Sequence, residues 1–281
     1  MLEILPAASD SFLPLSGNIE TFKIGGASIA ELIRSRFPDC LRKKIIIRGD
    51  FIPSGKIAER LSGEHPVKVI SPLDGTVLAC GGETCHEEIH PDSESMRIRF
   101  PWELLRLNEL VLADIAQDIK GRIRERVIID GIVRLGEGSV ILPGVFIEGN
   151  VTIGRNCKIG PNCYLRGSTS IGDFCHIGQA VEIKNSILCD HVSIGHLSYA
   201  GDSVIGPNVN FGAGTIVSNF RHDGKDHCCM SGGKLVPTGR RKFGTIIGAG
   251  VHTGIHTAIY PGRTLSEGSS TRPGEIVMKS K

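Results

Sequence analysis

Val151-Thr152-Ile153-Gly154-Arg155-Asn156, Cys157-Lys158-Ile159-Gly160-Pro161-Asn162 and Cys163-Tyr164-Leu165-Arg166-Gly167-Ser168 are consecutive six-residue units with an aliphatic residue third in each. The spacing extends back through Ile147, Ile141, Leu135 and Ile129, and forward through Ile171, Ile177 and Ile183. After a five-residue step it resumes at Leu188 and Ile194, and after another at Ile205, Phe211 and Val217. Such a period is neither helical nor simple strand alternation. Glycine often follows the aliphatic residue, as at Gly136, Gly154, Gly172 and Gly195. Four residues after it stands something small, as at Ser139, Val145, Cys157, Cys163, Thr169 and Cys175.

Repeated hexads of this kind predict a parallel β-helix, because a single short strand buries its apolar side chain only by stacking on the coil below. Three hexads make one triangular coil, so residue n lies over residue n+18 at about 4.8 Å, the strand spacing. The aliphatic residues fill the prism, the small residues fit its inner corners, and glycine suits corner conformations closed to larger residues. The expected fold is mainly β, a parallel β-helix over residues 121–281 preceded by a small α+β domain over residues 1–120.

Working outward, residues 28–36 read as a helix with Ser28 as N-cap and Glu31 closing a capping box. A strand follows at Ile45 to Ile47, then a turn-rich segment from Pro66 to Gly75. Trp102, Leu105, Val111, Leu112, Ile115 and Ile119 suit an amphipathic helix packed on the first coils. Residues 221–241 carry no hexad and should project as a polar loop before the phase returns at Ile247, Ile259 and Leu265. Long loops on rigid scaffolds often carry function.

With 281 residues, a formal charge of +2, 40% hydrophobic and 5% aromatic residues, the chain reads as globular, and its charge balance gives no argument for nucleic acid. No apolar run is long enough to cross a membrane, and no secretory leader is legible, which predicts a cytoplasmic protein without membrane insertion. The nine cysteines are expected as free thiols, Cys157, Cys163 and Cys175 being small core residues. Cys80, Cys85, His86 and His90 have a spacing that matches no closed zinc site, and the neighbouring Glu87, Glu88 and Asp92 suggest a solvated loop. Cys228-Cys229 reads as an adjacent pair without redox or metal chemistry.

Two cations open the chemistry. Arg166 and Lys184 each follow a core aliphatic residue and lie one coil apart on the same edge, where like charges repel unless an anion such as phosphate lies between them. The plain alternative is that both splay into solvent. His196, two residues past Ile194, should point outward, and an imidazole near neutral pKa can take a proton from an amine. Asn210, Asn219 and Phe220 end the regular repeat, and Arg240, Arg241 and Lys242 form a basic cluster beyond the loop, suited to nucleotide phosphates or simply to solvent.

Four blocks carry a resemblance: Val181-Glu182-Ile183-Lys184-Asn185; Gly195-His196-Leu197-Ser198-Tyr199-Ala200-Gly201-Asp202; Val209-Asn210-Phe211-Gly212-Ala213-Gly214-Thr215-Ile216; and Lys242-Phe243-Gly244-Thr245-Ile246-Ile247-Gly248. In this order they resemble the acetyltransferase domain of the bifunctional N-acetylglucosamine-1-phosphate uridyltransferase/glucosamine-1-phosphate acetyltransferases, over roughly residues 130–277. The loop and the Thr238-Gly239-Arg240-Arg241-Lys242 entry look closer to archaeal versions. The resemblance implies a left-handed β-helix, a homotrimer with sites between subunits, and N-acetylation of glucosamine 1-phosphate by acetyl-CoA as cosubstrate, with no metal required. It makes His196 the base, and assigns Arg166, Lys184, Tyr199, Asn210, Asn219 and Lys242 to the amino sugar phosphate. Ala213, Phe220, Arg240, Arg241 and Ile255 fall to the cosubstrate.

Three departures qualify it. Leu5-Pro6-Ala7-Ala8-Ser9-Asp10-Ser11-Phe12 is no glycine-rich nucleotide loop, which predicts that residues 1–120 are degenerate relative to a nucleotidyltransferase and lack uridyltransferase activity. Phe220 replaces the family's tyrosine, and Ile255 stands where bacterial members often have serine. The chain also ends at Lys281, before the family's C-terminal segment at the coenzyme A pocket. The alternatives are another amino sugar phosphate or nucleotide-linked amino sugar as acceptor, a non-catalytic phosphosugar-binding trimer, or a scaffold for the N-terminal region.

Overall fold

Hexads that cannot stand alone become a stack of coils, and the computed structural model shows that stack. It describes residues 1–281 except 8–11, 13, 16, 42, 83 and 86. The chain divides into two units: Met1–Ser9, Gly17–Lys23 and Ala27–Arg99 form one, and Asp10–Ser16, Ile24–Gly26 and Phe100–Lys281 the other.

In the first unit a mixed five-stranded sheet has the order Leu2–Leu5, Ile45–Arg48, Val77–Gly81, Val67–Ile70, Glu87–Ile89. Helix α1 (Ile29–Arg34) starts where the capping box places it, with the Ser28 side chain taking the Glu31 N–H and the Glu31 carboxylate taking the Ser28 N–H. Helix α2 (Gly55–Ser62) is capped by Ser54 through the Ile57 N–H, a signal the sequence reading passed over. The segment expected to be turns from Pro66 onward is instead the strand Val67–Ile70, with Val67 and Val69 buried; the turn is confined to Ser71–Thr76.

The expected free thiols are also corrected here. Cys80 and Cys85 form a disulfide, so neither is available as a thiolate metal ligand. His86, the third residue of that candidate site, lies outside the described residues. Cys40, Cys157, Cys163, Cys175, Cys189, Cys228 and Cys229 are outside any disulfide.

The second unit is a left-handed β-helix with three faces. The first face has eight parallel strands from Asp118–Ile119 to Arg263–Leu265, and the third has eight from Ile128–Asp130 to Ile276–Val277. The second has six, from Arg122–Ile123 to Asn210–Phe211, continued by single bridges at His252 and Ser270. The hexad aliphatics from Leu135 to Ile194, with Ile205, Phe211, Val217, Ile247, Ile259 and Leu265, are all buried in one core. Cys157, Cys163 and Cys175 sit among them at 2% exposure, in the small-residue role the repeat assigns. Each such aliphatic side chain is worth about 1.5–3 kcal/mol on burial, and the coil geometry supplies it only in register.

The coil spacing is eighteen residues at Leu165↔Ile183 and seventeen at Ile183↔Ala200, where a five-residue step has intervened. Corners adopt left-handed backbone, which Gly, Asn and Asp tolerate best; one column runs Gly149, Gly167, Asn185, Asp202, with φ of 94°, 66°, 46° and 49°.

Helix α3 (Glu103–Ala113) lies on the first face: Asn108 donates to the Ser168 carbonyl at 2.7 Å and bonds Ser170 Oγ at 2.5 Å, and Asn150 donates to the Leu112 carbonyl. The helix stops short of Ile119, which belongs to the first strand of that face.

The interruption leaves the third face after Val217 and returns at Thr245. It is not featureless: Cys228–Ser231 and Lys234–Pro237 pair as a hairpin across Gly232-Gly233, both at positive φ, the requirement of a two-residue primed turn. Cys229 is fully buried, and burial pushes its thiol up to about 12, in keeping with an inert cysteine.

Candidate functional site

On the third face the strands Tyr164–Arg166, Glu182–Lys184 and Tyr199–Gly201 are consecutive. Leu165, Ile183 and Ala200 point into the prism at 0% exposure, so alternation sends their neighbours outward. Arg166 registers with Lys184, and Lys184 with Gly201. The predicted stack of cations is therefore present. Their mutual repulsion is offset by two carboxylates, one to each cation, rather than by a single anion between them. Arg166 holds Glu182 through Nε at 2.7 Å and Nη2 at 2.6 Å, and its guanidinium lies 5.2 Å from the Tyr164 ring centroid. Lys184 Nζ holds Asp202 Oδ2 at 2.9 Å.

Asp202 is the hub. Its side chain is 3% exposed, and it accepts from Lys184 Nζ, from Asn185 Nδ2 at 2.9 Å and from Asn219 Nδ2 at 2.6 Å. The Asn219 amide also donates to Tyr199 Oη at 2.9 Å. A Cβ on Gly201 would overlap both Tyr199 Oη and the Asn219 amide, so glycine leaves the room in which they meet. Burial first, then the charges of Asp202 and Glu182, push the Tyr199 phenol up to about 12, so it is a neutral donor throughout the physiological range.

From the hub the network runs to α3. Glu109 Oε1 takes Asn185 Nδ2 at 2.9 Å and Arg240 Nη2 at 2.5 Å. Arg240 comes from the far end of the loop, whose two ends meet in the antiparallel bridge Phe220↔Lys242. The Phe243 N–H closes on the Asn219 carbonyl, and Arg241 lies 5.6 Å from the Phe220 ring centroid.

The remaining candidates lie on the second face. His196 ends the strand Ser193–His196 and is exposed. Backbone bonds from Leu197 to Gln179, from Gly214 to His196 and from His256 to Ala213 place Gln179, His196, Ala213 and Ile255 in one column on successive coils. Asn210 lies in the column three positions earlier on the same face, paired with Ser193 and bridged to His252. His176, in register with Ser193 one coil below, has its imidazole pKa lowered by burial and then by the charges of Lys158 and His196. Only the corner Leu197-Ser198 separates His196 from Tyr199, so the column meets the hub at that edge.

The structure thus gathers Arg166, Lys184, Tyr199 and Asn219 on one face, His196, Asn210, Ala213 and Ile255 on the next, and Phe220, Arg240, Arg241 and Lys242 at the loop base. Sequence reasoning missed Asp202, Glu109 and Asn185. Asp202 had a signal, since it stands eighteen residues past Lys184. Glu109 had none, because it reaches the site from a helix outside the repeat. Among the described residues no group of three or more His, Cys, Asp or Glu could hold a metal ion. No helix among them is long and apolar enough to cross a membrane.

Residues 147–267 match the model of the GMPPB C-terminal domain family. A bifunctional sugar-1-phosphate nucleotidylyltransferase/acetyltransferase of Sulfurisphaera tokodaii is 41% identical over 184 residues, 65% of this chain and 46% of that protein. The bifunctional protein GlmU of Methanococcus maripaludis strain C7 is 52% identical over 172 residues, 61% and 42% of the two chains. The C-terminal region is homologous to GlmU-type bifunctional proteins. This chain spans less than half the length of those two GlmU-type relatives. Among solved structures, a hexapeptide transferase family protein from Anaplasma phagocytophilum covers 54% of this chain and 79% of its own, at 17% identity and a TM-score of 0.30.

Proposed function

We propose that the protein is an acyltransferase that moves the acetyl group of acetyl-CoA onto the amine of glucosamine 1-phosphate, giving N-acetylglucosamine 1-phosphate. The observation that carries this reading is the edge where two sets of groups meet. One face offers Arg166 and Lys184 to a phosphate and Tyr199 and Asn219 to sugar hydroxyls; the adjoining corner offers His196 to an amine. The Sulfurisphaera tokodaii relative, a bifunctional sugar-1-phosphate nucleotidylyltransferase/acetyltransferase, supports the same class of chemistry.

In this reading Arg166 swings from Glu182 toward the phosphate, and Lys184 stays on Asp202 and turns its remaining N–H donors to the same phosphate. His196 takes a proton from the acceptor nitrogen as that nitrogen forms its bond to the acetyl carbonyl carbon. The thioester C–S bond then breaks, and the thiolate leaves with a proton as free CoA. Ala213 and Ile255, on the same column as His196, border the donor, with Phe220, Arg240, Arg241 and Lys242 toward its phosphates and the sugar. No residue of this scheme needs a metal. Uridyltransferase activity is not part of the reading, because residues 1–120 hold no glycine-rich nucleotide loop.

We also read the working form as a homotrimer. The outward column of the third face is apolar at its two ends, with exposed Ile128 and stacked Phe146 and Tyr164 before Glu182 and Tyr199, and exposed Ile216 and Ile276 with Ala258 after them, the kind of patches a further copy of the chain covers. Light scattering on the purified chain tests this; a monomer at micromolar concentration refutes it.

The activity test is CoA release from acetyl-CoA with glucosamine 1-phosphate. Release should depend on the sugar and fall at least about 10²-fold in His196→Ala, the usual worth of a general base. Sugar-dependent release unchanged in that variant would remove His196 as base; no release with any amino sugar phosphate would remove the enzyme.

A further inference from the structure

Lys184 and Asn219 bond, and Tyr199 reaches through Asn219, one group that none of the assigned roles uses, the Asp202 carboxylate, whereas Arg166 pairs with Glu182. We propose that Asp202 is the positioning residue of the amino sugar phosphate site, holding Lys184, Asn219 and, through Asn219, Tyr199 in the arrangement that receives the acceptor. The inference rests on the acyltransferase reading and goes a layer beneath it.

The chemistry of the hub explains why the residue is an aspartate. Three N–H donors converge on it, from Lys184, Asn185 and Asn219. An ionised carboxylate is acceptor only, with lone pairs for all three, whereas an amide of the same shape must aim its own N–H group at one of the donors. Among the described residues the carboxylate is also the only anion bonded to the Lys184 ammonium, and buried ion pairs are held firmly because separating them strands a charge. The backbone adds a second reason. At φ +49° the position takes Asp or Asn readily and other residues under strain. Glu109, bonded to both Asn185 and Arg240, extends the same restraint from α3 to the end of the loop.

A carboxylate acting this way does not touch the acceptor; it sets where the lysine, the amide and the phenol stand. Its loss should therefore appear in acceptor KM and leave donor KM alone. Asp202→Asn keeps shape and backbone while removing the charge and one acceptor. Asn185→Gly is the gentler companion, since Gly167 fills the same corner one coil earlier at φ +66°. Steady-state kinetics on the full chain should show glucosamine 1-phosphate KM raised at least about tenfold in Asp202→Asn, and by about threefold in Asn185→Gly, with acetyl-CoA KM unchanged. Native-state labelling of lysines with acetic anhydride, read by mass spectrometry, should show Lys184 protected in the parent and modified faster in Asp202→Asn. Circular dichroism and thermal melting establish that each variant folds.

Acceptor KM within about twofold of the parent in both folded variants overturns the proposal, as does an equal rise in both KM values, which marks a general loss of structure. If Asp202→Asn does not fold, Asn185→Gly alone decides by the same criterion. If the parent releases no CoA, the acyltransferase reading fails separately; calorimetry with glucosamine 1-phosphate then stands in for KM, and absence of binding by the parent overturns the positioning role too.

Discussion

Arg166 and Lys184 look interchangeable in the sequence, each following a core aliphatic residue one coil apart, yet their replacement should differ sharply in its effect on stability. The Lys184 and Asp202 side chains are 15% and 3% exposed, against 34% and 32% for Arg166 and Glu182. Lys184→Ala leaves a buried carboxylate without its cation. Removing one partner of such a pair costs about 3–5 kcal/mol in general, and the amides of Asn185 and Asn219 that remain on Asp202 reduce this to about 2–3 kcal/mol here. Arg166→Ala frees a half-exposed glutamate to water, worth about 0–1 kcal/mol with the lost contact to Tyr164 included. With a urea slope of about 2 kcal/mol per molar, Lys184→Ala should lower the unfolding midpoint by about 1 M or more, and Arg166→Ala by less than about 0.5 M. Both should weaken glucosamine 1-phosphate binding in calorimetry. Equal midpoint shifts at matched protein concentration, or a larger one for Arg166→Ala, would refute the assignment of Asp202 as a buried hub.

Three further outcomes follow from the geometry. Tyr199 ionises near 12 in the folded protein and near 10 when unfolded, so the folded state binds the extra proton between those values; stability should fall as pH rises from about 10 to about 12, and denaturant titrations of Tyr199→Phe should show a shallower fall. Gly201→Ala should displace Tyr199 and Asn219 and raise acceptor KM at least about tenfold, while circular dichroism stays that of the parent, because the core neighbour Ala200 is untouched. Native thiol labelling should modify exposed Cys40 readily and leave Cys157, Cys163, Cys175 and Cys229 intact until denaturant is added, as their burial requires.

The β-helix was legible because its signal is covalent spacing. A residue such as Ile159 must be aliphatic whatever surrounds the chain, and its period survives in every coil. Site residues on the repeat inherit that legibility, which is how Arg166 and Lys184 could be placed in one column before any coordinates. Their charge balance was not legible, since Glu182 lies sixteen residues from Arg166 and reaches it diagonally. The first unit read less well: α1 announces itself through Ser28 and Glu31, whereas the strand Val67–Ile70 is only four residues long and runs straight into the Ser71–Thr76 turn that leads to its partner Val77–Gly81, so its turn signals masked it. Glu109 shows the limit most clearly. Only the docking of α3 on the first face carries it to Asn185 and Arg240, and docking has no period.

The five-residue step after Ile183 has a consequence for the chemistry. With six-residue steps throughout, position 202 would lie in the ladder directly over Lys184, its side chain outward beside the lysine at the strand spacing, in water. The shortened step instead puts Gly201 over Lys184 and moves Asp202 to the left-handed corner. There its carboxylate is buried and still reaches the lysine ammonium, and the ladder position is left without a side chain. Tyr199 Oη and the Asn219 amide occupy that space. A glycine on the ladder and an aspartate at the corner beyond it thus make a buried anchor of what would otherwise be an exposed ion pair, and open the place beside it for two hydrogen-bonding groups. Exchanging the two residues, Gly201→Asp together with Asp202→Gly, should put the carboxylate on the ladder over Lys184, keep the β-helix, and abolish acceptor binding, because the prism needs only the aliphatic phase whereas the hub needs the aspartate at the corner and an empty place beside it.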